Sequence, residues 1–252
     1  MDPVLDAMVA AARAGGAVAL QHFRRGVDVT LKADRSPVTI ADSEAEHAIL
    51  ATLARACPGH GVIAEESGER GPTARRFIVD PIDGTRNFAR GIPYWAALIA
   101  LEEDGVLTAG VIHQPVSGEV YTARRGQGAR LDGAPIRVSP VATLNDATVA
   151  HGTLRILRRR GRWDGFERLV DATRSQRGFG DFLCYAWLAA GRVDIAFGLN
   201  LKIWDVAAPK IVVEEAGGRL TDLDGQDSLT SGTALATNGH LHDAAVKMFS
   251  PV

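Results

Sequence analysis

The sequence has little cysteine, few aromatic residues and no long apolar run, and these shortages exclude several classes of protein. Its 252 residues include two cysteines, Cys57 and Cys184, so we expect no disulfide scaffold and a reducing cytoplasm. The mostly apolar runs, such as residues 95–101, are far shorter than the roughly 20 residues that span a bilayer. The N-terminus reads MDPVLDAM, with no basic leader before an apolar core, so we expect no secretory signal.

An excess of charge of one sign is also missing. The chain has 28 basic and 30 acidic residues, which gives a formal net charge of -2. Because no strong field surrounds the protein, the sequence predicts neither a nucleic-acid partner nor binding to an anionic membrane. The arginine-rich stretch at residues 155–162 is interpreted as a solvated helix end.

The hydrophobic pattern changes character along the chain. Apolar residues at helical spacing predict helices over residues 5–23 and 39–56. Short apolar runs with Asp-Gly and Ser-Gly turns then predict a mostly antiparallel sheet up to about residue 141. Further along the chain, predicted strands alternate with predicted helices, which indicates an α/β half. The predicted strands are residues 147–151, 193–197 and 219–221. The predicted helices are residues 182–190 and 206–216.

This change predicts a division of the chain near residue 142. Residues 1–142 would form an N-terminal α+β half that carries most of the candidate metal ligands, and residues 143–252 a C-terminal α/β half. No flexible linker separates the two halves, so we expect them to pack as layers of one compact unit.

The most informative segment is Asp80-Pro81-Ile82-Asp83-Gly84-Thr85, which directly follows a predicted strand. Its two carboxylates can converge at the end of that strand, and acidic oxygens without histidine or cysteine nearby favour hard cations such as Mg²⁺. Gly84 allows backbone N–H groups to approach an anion closely. Thr85 offers a hydroxyl at the start of a possible helix, where a phosphate is favoured. The alternative is an ordinary Asp-Gly turn.

Three more acidic residues lie at the ends of predicted elements. Glu65 follows the predicted strand at residues 61–64, and Asp42 follows Thr39 as in a helix cap. Asp205 opens a predicted helix in the string Trp204-Asp205 with Ala207-Ala208-Pro209. An isolated acidic residue at a helix start is usually only a cap, so it is their joint presence that predicts a carboxylate site.

These residues resemble the inositol monophosphatase family of Mg²⁺-dependent, lithium-sensitive phosphatases. The likeness runs from Lys32-Ala33-Asp34-Arg35-Ser36-Pro37-Val38-Thr39 to Ala236-Thr237-Asn238-Gly239. Residues 80–85 and 204–209 are its most specific parts, and Ala64 departs from the glycine that the family often has there. The resemblance implies a layered αβαβα sandwich, similar to inositol monophosphatase and fructose-1,6-bisphosphatase, and a homodimer.

The resemblance also implies a role for each matched residue. The metal ligands would be Glu65, Asp80, Asp83, Asp205 and the carbonyl of Ile82. They would hold two or three Mg²⁺ ions, with Mn²⁺ as a substitute, and Asp42 would help to hold the weaker ion. Catalysis would involve Glu65, Thr85 and Asp42, with Glu65 and Thr85 orienting a metal-activated water toward a small-molecule phosphate ester. The substrate would be bound by Asp83, Gly84, Thr85, Asp181 and Asp205.

Two segments look most like the histidinol-phosphate phosphatase branch, namely residues 83–93 with Trp95, and residues 178–185. Asp181 stands where inositol-specific relatives carry a small hydroxyl residue. A carboxylate there suits the amine and imidazole of L-histidinol phosphate, an intermediate of histidine biosynthesis. The alternative is that Asp181 merely caps the following helix.

Gly198 stands where inositol-type enzymes place a glutamate that binds a substrate hydroxyl. Asn200 and Lys202 are the nearby candidates to replace that contact. An inositol-1-phosphate or broad-specificity sugar phosphatase is the alternative function. A non-catalytic binding or regulatory protein is a more remote one, because such a member should have lost a metal carboxylate or the threonine. Tyr185 and Trp187 are predicted to fill the core.

Overall fold

The computed structural model describes residues 2–23, 30–31, 37–38, 40–152 and 154–250. Thr39 and residues 32–36 of the segment that carries the resemblance lie outside the described residues. The helices are α1 (Pro3–Phe23), α2 (Ile40–Ala56), α3 (Thr85–Ala89), α4 (Leu154–Arg159), α5 (Trp163–Ala172), α6 (Asp181–Ala189), α7 (Ile203–Glu215) and α8 (His242–Phe249), with a 3₁₀ turn at Leu144–Asp146.

The strands fall into a small hairpin and two larger sheets. They are β1 (Thr30–Leu31), β2 (Pro37–Val38), β3 (Gly61–Ala64), β4 (Gly68–Arg70), β5 (Arg75–Asp83), β6 (Ala96–Glu103), β7 (Val106–His113), β8 (Val120–Arg124), β9 (Gly128–Leu131), β10 (Ala134–Ile136), β11 (Thr148–His151), β12 (Ser175–Arg177), β13 (Ile195–Leu199), β14 (Arg219–Thr221) and β15 (Thr233–Thr237).

The first large sheet has eight strands in the order β10-β9-β8-β7-β6-β5-β3-β4. Its neighbours pair antiparallel except β3 and β5, which are parallel, so the predicted antiparallel character is confirmed. The turns at Asp104-Gly105 and Asp132-Gly133 have positive φ at both residues, the conformation that a tight hairpin requires. These dipeptides therefore set the β6–β7 and β9–β10 connections.

The second large sheet has five strands in the order β12-β11-β13-β15-β14. Strand β11 pairs parallel with β12 and β13, and β15 pairs antiparallel with β13 and β14. Parallel neighbours need crossover connections, and helices supply them in this half. The predicted α/β character is therefore confirmed, with an antiparallel edge added to it.

Five layers result from the packing of helices against these sheets. Helices α1 and α2 cover one face of the eight-stranded sheet, and α6 and α7 fill the space between the two sheets. Helices α5 and α8 cover the outer face of the five-stranded sheet. The predicted αβαβα sandwich is confirmed. The division near residue 142 falls between β10 and β11, and it stays a proposal.

Helix α1 is long and apolar enough to cross a membrane by length and composition. Asp6 and Arg13 interrupt the apolar residues of this helix, so no single apolar run within it has the length that spans a bilayer. Met8, Ala11 and Ala12 on this helix are fully buried in a cluster shared with α2 and the first sheet. Packing of one face against a sheet is the behaviour of a core helix.

Candidate metal and phosphate site

The end of strand β5 carries the first two carboxylates of the site. The pairing of β5 with β6 is irregular between Asp80 and Asp83, and such a bulge turns side chains away from the regular alternation of a strand. The Ile82 N–H donates to Asp80 Oδ1 at 3.0 Å, which fixes one carboxylate inside this bulge. The backbone N–H of Phe182, at the start of α6, donates to Asp83 Oδ2. The middle layer of helices thus holds Asp83 in place.

The third carboxylate comes from the start of α7. The Lys202 N–H donates to Asp205 Oδ2 at 2.6 Å, so Asp205 also satisfies the helix start. One oxygen each of Asp80, Asp83 and Asp205 lies within 4.8 Å of the others. Glu65, directly after β3, lines a cavity together with Asp83 and Asp205. The structure therefore brings together the four acidic residues predicted as metal ligands.

Burial makes this group of carboxylates unfavourable without a cation. Burial and the neighbouring charges of Glu65, Asp83 and Asp205 raise the pKa of Asp80 well above its usual value. Burial and the charges of Asp181 and Asp205 do the same to the pKa of Asp83. Burial raises the pKa of Asp205 to about 6. A hard divalent cation with oxygen ligands would compensate these charges, so the donor set fits Mg²⁺.

The pKa shifts predict how the metal-free protein responds to pH. Asp80 and Asp83 bind protons more tightly in the folded than in the unfolded chain, whose aspartates titrate near 3.8. These two groups therefore stabilise the folded state fully below about pH 4. That stabilisation is lost as the pH rises through their raised pKa values in the folded state. In EDTA, the midpoint temperature of thermal unfolding should therefore be lower at about pH 7.5 than at about pH 5.

Mg²⁺ should reverse most of that loss at the higher pH, because it binds the ionised carboxylates of the folded state. The measurement is the unfolding midpoint at both pH values with EDTA and with Mg²⁺. Asp83→Asn is the matched comparison, and its EDTA curve should depend less on pH. An Asp83→Asn curve with the wild-type slope would contradict the assignment.

Gly84 and Thr85 form a compact turn beside the carboxylates. Gly84 has a φ of 92°, and a Cβ there would lie 2.9 Å from the carbonyl oxygen of Tyr94. Only glycine suits that combination. The backbone N–H groups of Gly84 and Thr85 have no acceptor among the described residues, as is usual at a helix start. Helix α3 has five residues, so these N–H groups, not a long helix dipole, are what could bind a phosphate.

The Thr85 hydroxyl contacts two other predicted site residues. Thr85 Oγ1 donates to the Ile82 carbonyl oxygen at 3.0 Å and lies 3.4 Å from Asp42 Oδ1. Asp42, in the first turn of α2, is 1% exposed. A carbonyl oxygen has two lone pairs, so Ile82 can accept from Thr85 and still face a cation. The roles of Ile82 and Asp42 stay predictions.

Asp181 lies at the open side of the cavity, as the first residue of α6. Asn87 Nδ2 donates to its Oδ2 at 3.1 Å, and the N-cap of α6 is Gly180 rather than Asp181. Although the side chain is open to the cavity, the protein around it reduces hydration and raises its pKa to about 6, which the Arg86 charge opposes. Asp181 therefore faces both a cation of the protein and the space for a ligand.

Glu46 is a site residue that the sequence analysis missed. It lies on α2, is 3% exposed, and accepts the backbone N–H groups of Glu66 at 2.8 Å and Ser67 at 2.9 Å. It thus holds the turn that directly follows Glu65. In the sequence, Glu46 is one more glutamate in a predicted helix. Nothing links it to residues 66 and 67, because they are about 20 residues away.

Glu46→Gln should weaken this turn, because one acceptor oxygen becomes an NH₂ group that faces a backbone N–H. We expect the free energy of unfolding to fall by about 1–3 kcal/mol and kcat to fall as Glu65 shifts. Chemical denaturation and phosphate release measure the two effects. Glu44→Gln, an exposed change on the same helix, is the control. A Glu46→Gln protein that is as stable as Glu44→Gln would contradict this role.

The rest of the cavity, about 480 Å³ in volume, lies between α6 and the loop that joins β13 to α7. Gly198, Asn200 and Lys202 all line it, and Arg160 donates to Asn200 Oδ1 at 3.1 Å. Tyr185 is 3% exposed and packs in the core as predicted, but it also lines this cavity. The sequence assigned it to the core alone, since an aromatic residue within an apolar helix gives no other signal.

Comparison with known proteins adds independent findings. The model of the inositol monophosphatase family matches residues 1–251. The chain is 46% identical to a histidinol-phosphatase of Mycobacterium tuberculosis, over 94% of this chain and 95% of the relative. It is 37% identical to an inositol-1-monophosphatase of Mesorhizobium japonicum, over 97% and 95%. The crystal structure of the extragenic suppressor protein suhB from Bartonella henselae superposes with a TM-score of 0.93, at 36% identity and 98% coverage of both chains.

The layered fold and these matches define a hydrolase of the phosphatase class. The chain belongs to the inositol monophosphatase family.

Proposed function

We propose that the protein is a Mg²⁺-dependent phosphomonoesterase that hydrolyses L-histidinol phosphate to L-histidinol. The observation that carries the proposal is the group of Asp80, Asp83 and Asp205, whose oxygens lie within 4.8 Å of one another, with Asp83 and Asp205 lining the cavity. We also propose that the enzyme is cytoplasmic and homodimeric, on the basis of the family.

In this proposal, Glu65, Asp80, Asp83, Asp205 and the Ile82 carbonyl would hold two or three Mg²⁺ ions, or Mn²⁺ in their place. Bound Mg²⁺ would activate a water and neutralise the charge of the transferring phosphoryl group. Gly84 and Thr85 would donate backbone N–H groups to the phosphate, and Glu65 and Thr85 would orient the attacking water. Asp42, beside Thr85, would help to hold a weaker ion, where Li⁺ could inhibit.

Three features support histidinol phosphate as the substrate. The relative with 46% identity is named a histidinol-phosphatase. Asp181 places a carboxylate at the cavity, where it could accept a hydrogen bond from an ammonium or imidazolium group. Gly198 supplies no side-chain oxygen for an inositol hydroxyl. These features favour a cationic leaving group over a neutral polyol.

The inositol-phosphatase alternative is supported by the relative from Mesorhizobium japonicum. A regulatory role is the third candidate, because a structural neighbour is named a suppressor protein. Since Glu65, Asp80, Asp83, Thr85 and Asp205 are all present in the described residues, we favour catalysis.

A phosphate-release panel with Mg²⁺ tests the proposed function. Its substrates are L-histidinol phosphate, inositol 1-phosphate, fructose 1,6-bisphosphate and 3′-phosphoadenosine 5′-phosphate. The proposal predicts the highest kcat/KM for L-histidinol phosphate. A higher value for inositol 1-phosphate would favour the second candidate, and no release from any ester would favour a regulatory role.

Asp181→Asn should lower kcat/KM for L-histidinol phosphate by about tenfold, because a charge-assisted hydrogen bond to the leaving group is lost. It should scarcely change kcat/KM for glycerol 2-phosphate, because the metal ligands are intact. Asp104→Asn is a matched control, since both residues have a φ of 50° and Asp104 lies in the β6–β7 turn. Equal falls for both esters would show that Asp181 supports the site instead of selecting the substrate.

A further inference from the structure

The hydroxyl of Tyr185 is buried without a partner at the edge of the candidate site. Tyr185 lies on α6 and is 3% exposed, and its Oη has no hydrogen-bond partner among the described residues. Buried polar groups in native proteins are nearly always hydrogen-bonded, so an exception needs an explanation. Tyr121, the other buried tyrosine, follows the rule, because its hydroxyl donates to Glu119 at 3.1 Å.

The surroundings of the hydroxyl point to a ligand. Tyr185 lines the cavity, and a Cβ added to Gly198 would lie 2.7 Å from its Oη and 3.1 Å from Leu201 Cδ1. Any residue larger than glycine at position 198 would therefore press against the hydroxyl. Leu201 belongs to the loop between β13 and α7, and its flexible side chain is the neighbouring group that a ligand would displace.

The charges near this hydroxyl restrict the chemistry of the ligand. Burial, the Cys184 thiol and the carboxylates of Asp83, Asp205 and Asp181 raise the pKa of Tyr185 well above its usual value, so the phenol stays protonated. A phenol can both donate and accept a hydrogen bond. A neutral imidazole has one N–H and one nitrogen lone pair, so it can complete either bond. The nearby carboxylates also favour N–H groups over acceptors.

We propose that Tyr185 is a specificity residue whose hydroxyl hydrogen-bonds a nitrogen of the leaving group, and that Gly198 keeps the space beside the hydroxyl open for it. This inference rests on the proposed function and assigns one contact within the same site. The inference also explains why position 185 has a tyrosine, since phenylalanine would fill the same space without leaving a hydroxyl that lacks a partner in the described protein.

Tyr185→Phe removes only the hydroxyl and tests the inference. We expect kcat/KM for L-histidinol phosphate to fall about three- to tenfold, and that for ethyl phosphate, which has no polar hydrogen in its leaving group, to stay unchanged. The Tm should stay the same or rise, because no protein hydrogen bond is lost. Gly198→Ala should also lower the ratio of kcat/KM for L-histidinol phosphate to kcat/KM for ethyl phosphate, because its methyl group would occupy the space beside the Tyr185 Oη.

Tyr121→Phe is the matched control. It breaks the bond to Glu119, so it should lower the Tm and leave the ratio of the two kcat/KM values at the wild-type value. A Tyr185→Phe protein with the wild-type ratio would overturn the inference, as would a fall in Tm like that of Tyr121→Phe. The wild-type protein tests the proposed function independently of these variants. If it releases no phosphate from L-histidinol phosphate, the proposed substrate is wrong, and so is the proposed contact of Tyr185 with that substrate.

Discussion

Asp83→Asn should lower kcat/KM for phosphate release about a hundredfold or more, because it takes one negative charge from the group that would hold Mg²⁺. The fold should survive, since the side chains are nearly isosteric and an amide oxygen can still accept the Phe182 N–H. In EDTA the variant should be more stable than wild type once the pH has risen through the raised pKa of Asp83, because a buried, repelled carboxylate is gone. Phosphate release at low Mg²⁺ and thermal unfolding measure these two effects.

Glu102→Gln is the matched control for a buried carboxylate outside the site. Glu102 is 6% exposed and accepts from Arg76 Nε at 2.8 Å. Its substitution should lower stability and leave kcat/KM near the wild-type value, which is the opposite pattern. Near-wild-type phosphate release by a folded Asp83→Asn protein at low Mg²⁺ would contradict the metal assignment.

Thr85→Ala should lower kcat by about tenfold to a hundredfold and change KM little, because the hydroxyl would orient the attacking water only on the way to the transition state. Thr85→Ser should keep much of the rate, since its hydroxyl can still donate to the Ile82 carbonyl oxygen. Steady-state kinetics at saturating Mg²⁺ separate the two parameters.

Thr52→Ala serves as the control, because the Thr52 hydroxyl donates to the Ala48 carbonyl oxygen within α2. This variant should keep the wild-type kcat. If the alanine and serine variants of Thr85 behave alike, the hydroxyl does not orient the water.

Much of the fold could be predicted because its signals are local. Strands β3 and β14 have the predicted bounds, since apolar residues end there at turn residues or at charged residues. Helix α4 ends in the arginine-rich stretch interpreted as a solvated helix end, whereas helices α5 and α8 and strand β15 were missed. These elements are short, with ten residues or fewer in each, and they pack on the outer face of the second sheet or lie within it, so their stability comes from tertiary contacts.

The candidate site was predictable where chemistry is concentrated in short strings. Residues 80–85 and 204–209 brought three carboxylates together as expected. Glu46 and the Tyr185 hydroxyl could not be found in this way. Their importance depends on contacts between elements distant in sequence: α2 with the turn after β3, and α6 with β13. Such contacts follow from packing, which spacing along the chain does not reveal.

The Mg²⁺ dependence of phosphate release tests the central claim most directly. EDTA-treated protein would be titrated with Mg²⁺ while phosphate release from L-histidinol phosphate is measured. We predict no release above background without Mg²⁺ and a saturable recovery as Mg²⁺ is added, shifted to higher concentration in Asp83→Asn. Undiminished release in EDTA would contradict the claim that these carboxylates act by holding Mg²⁺.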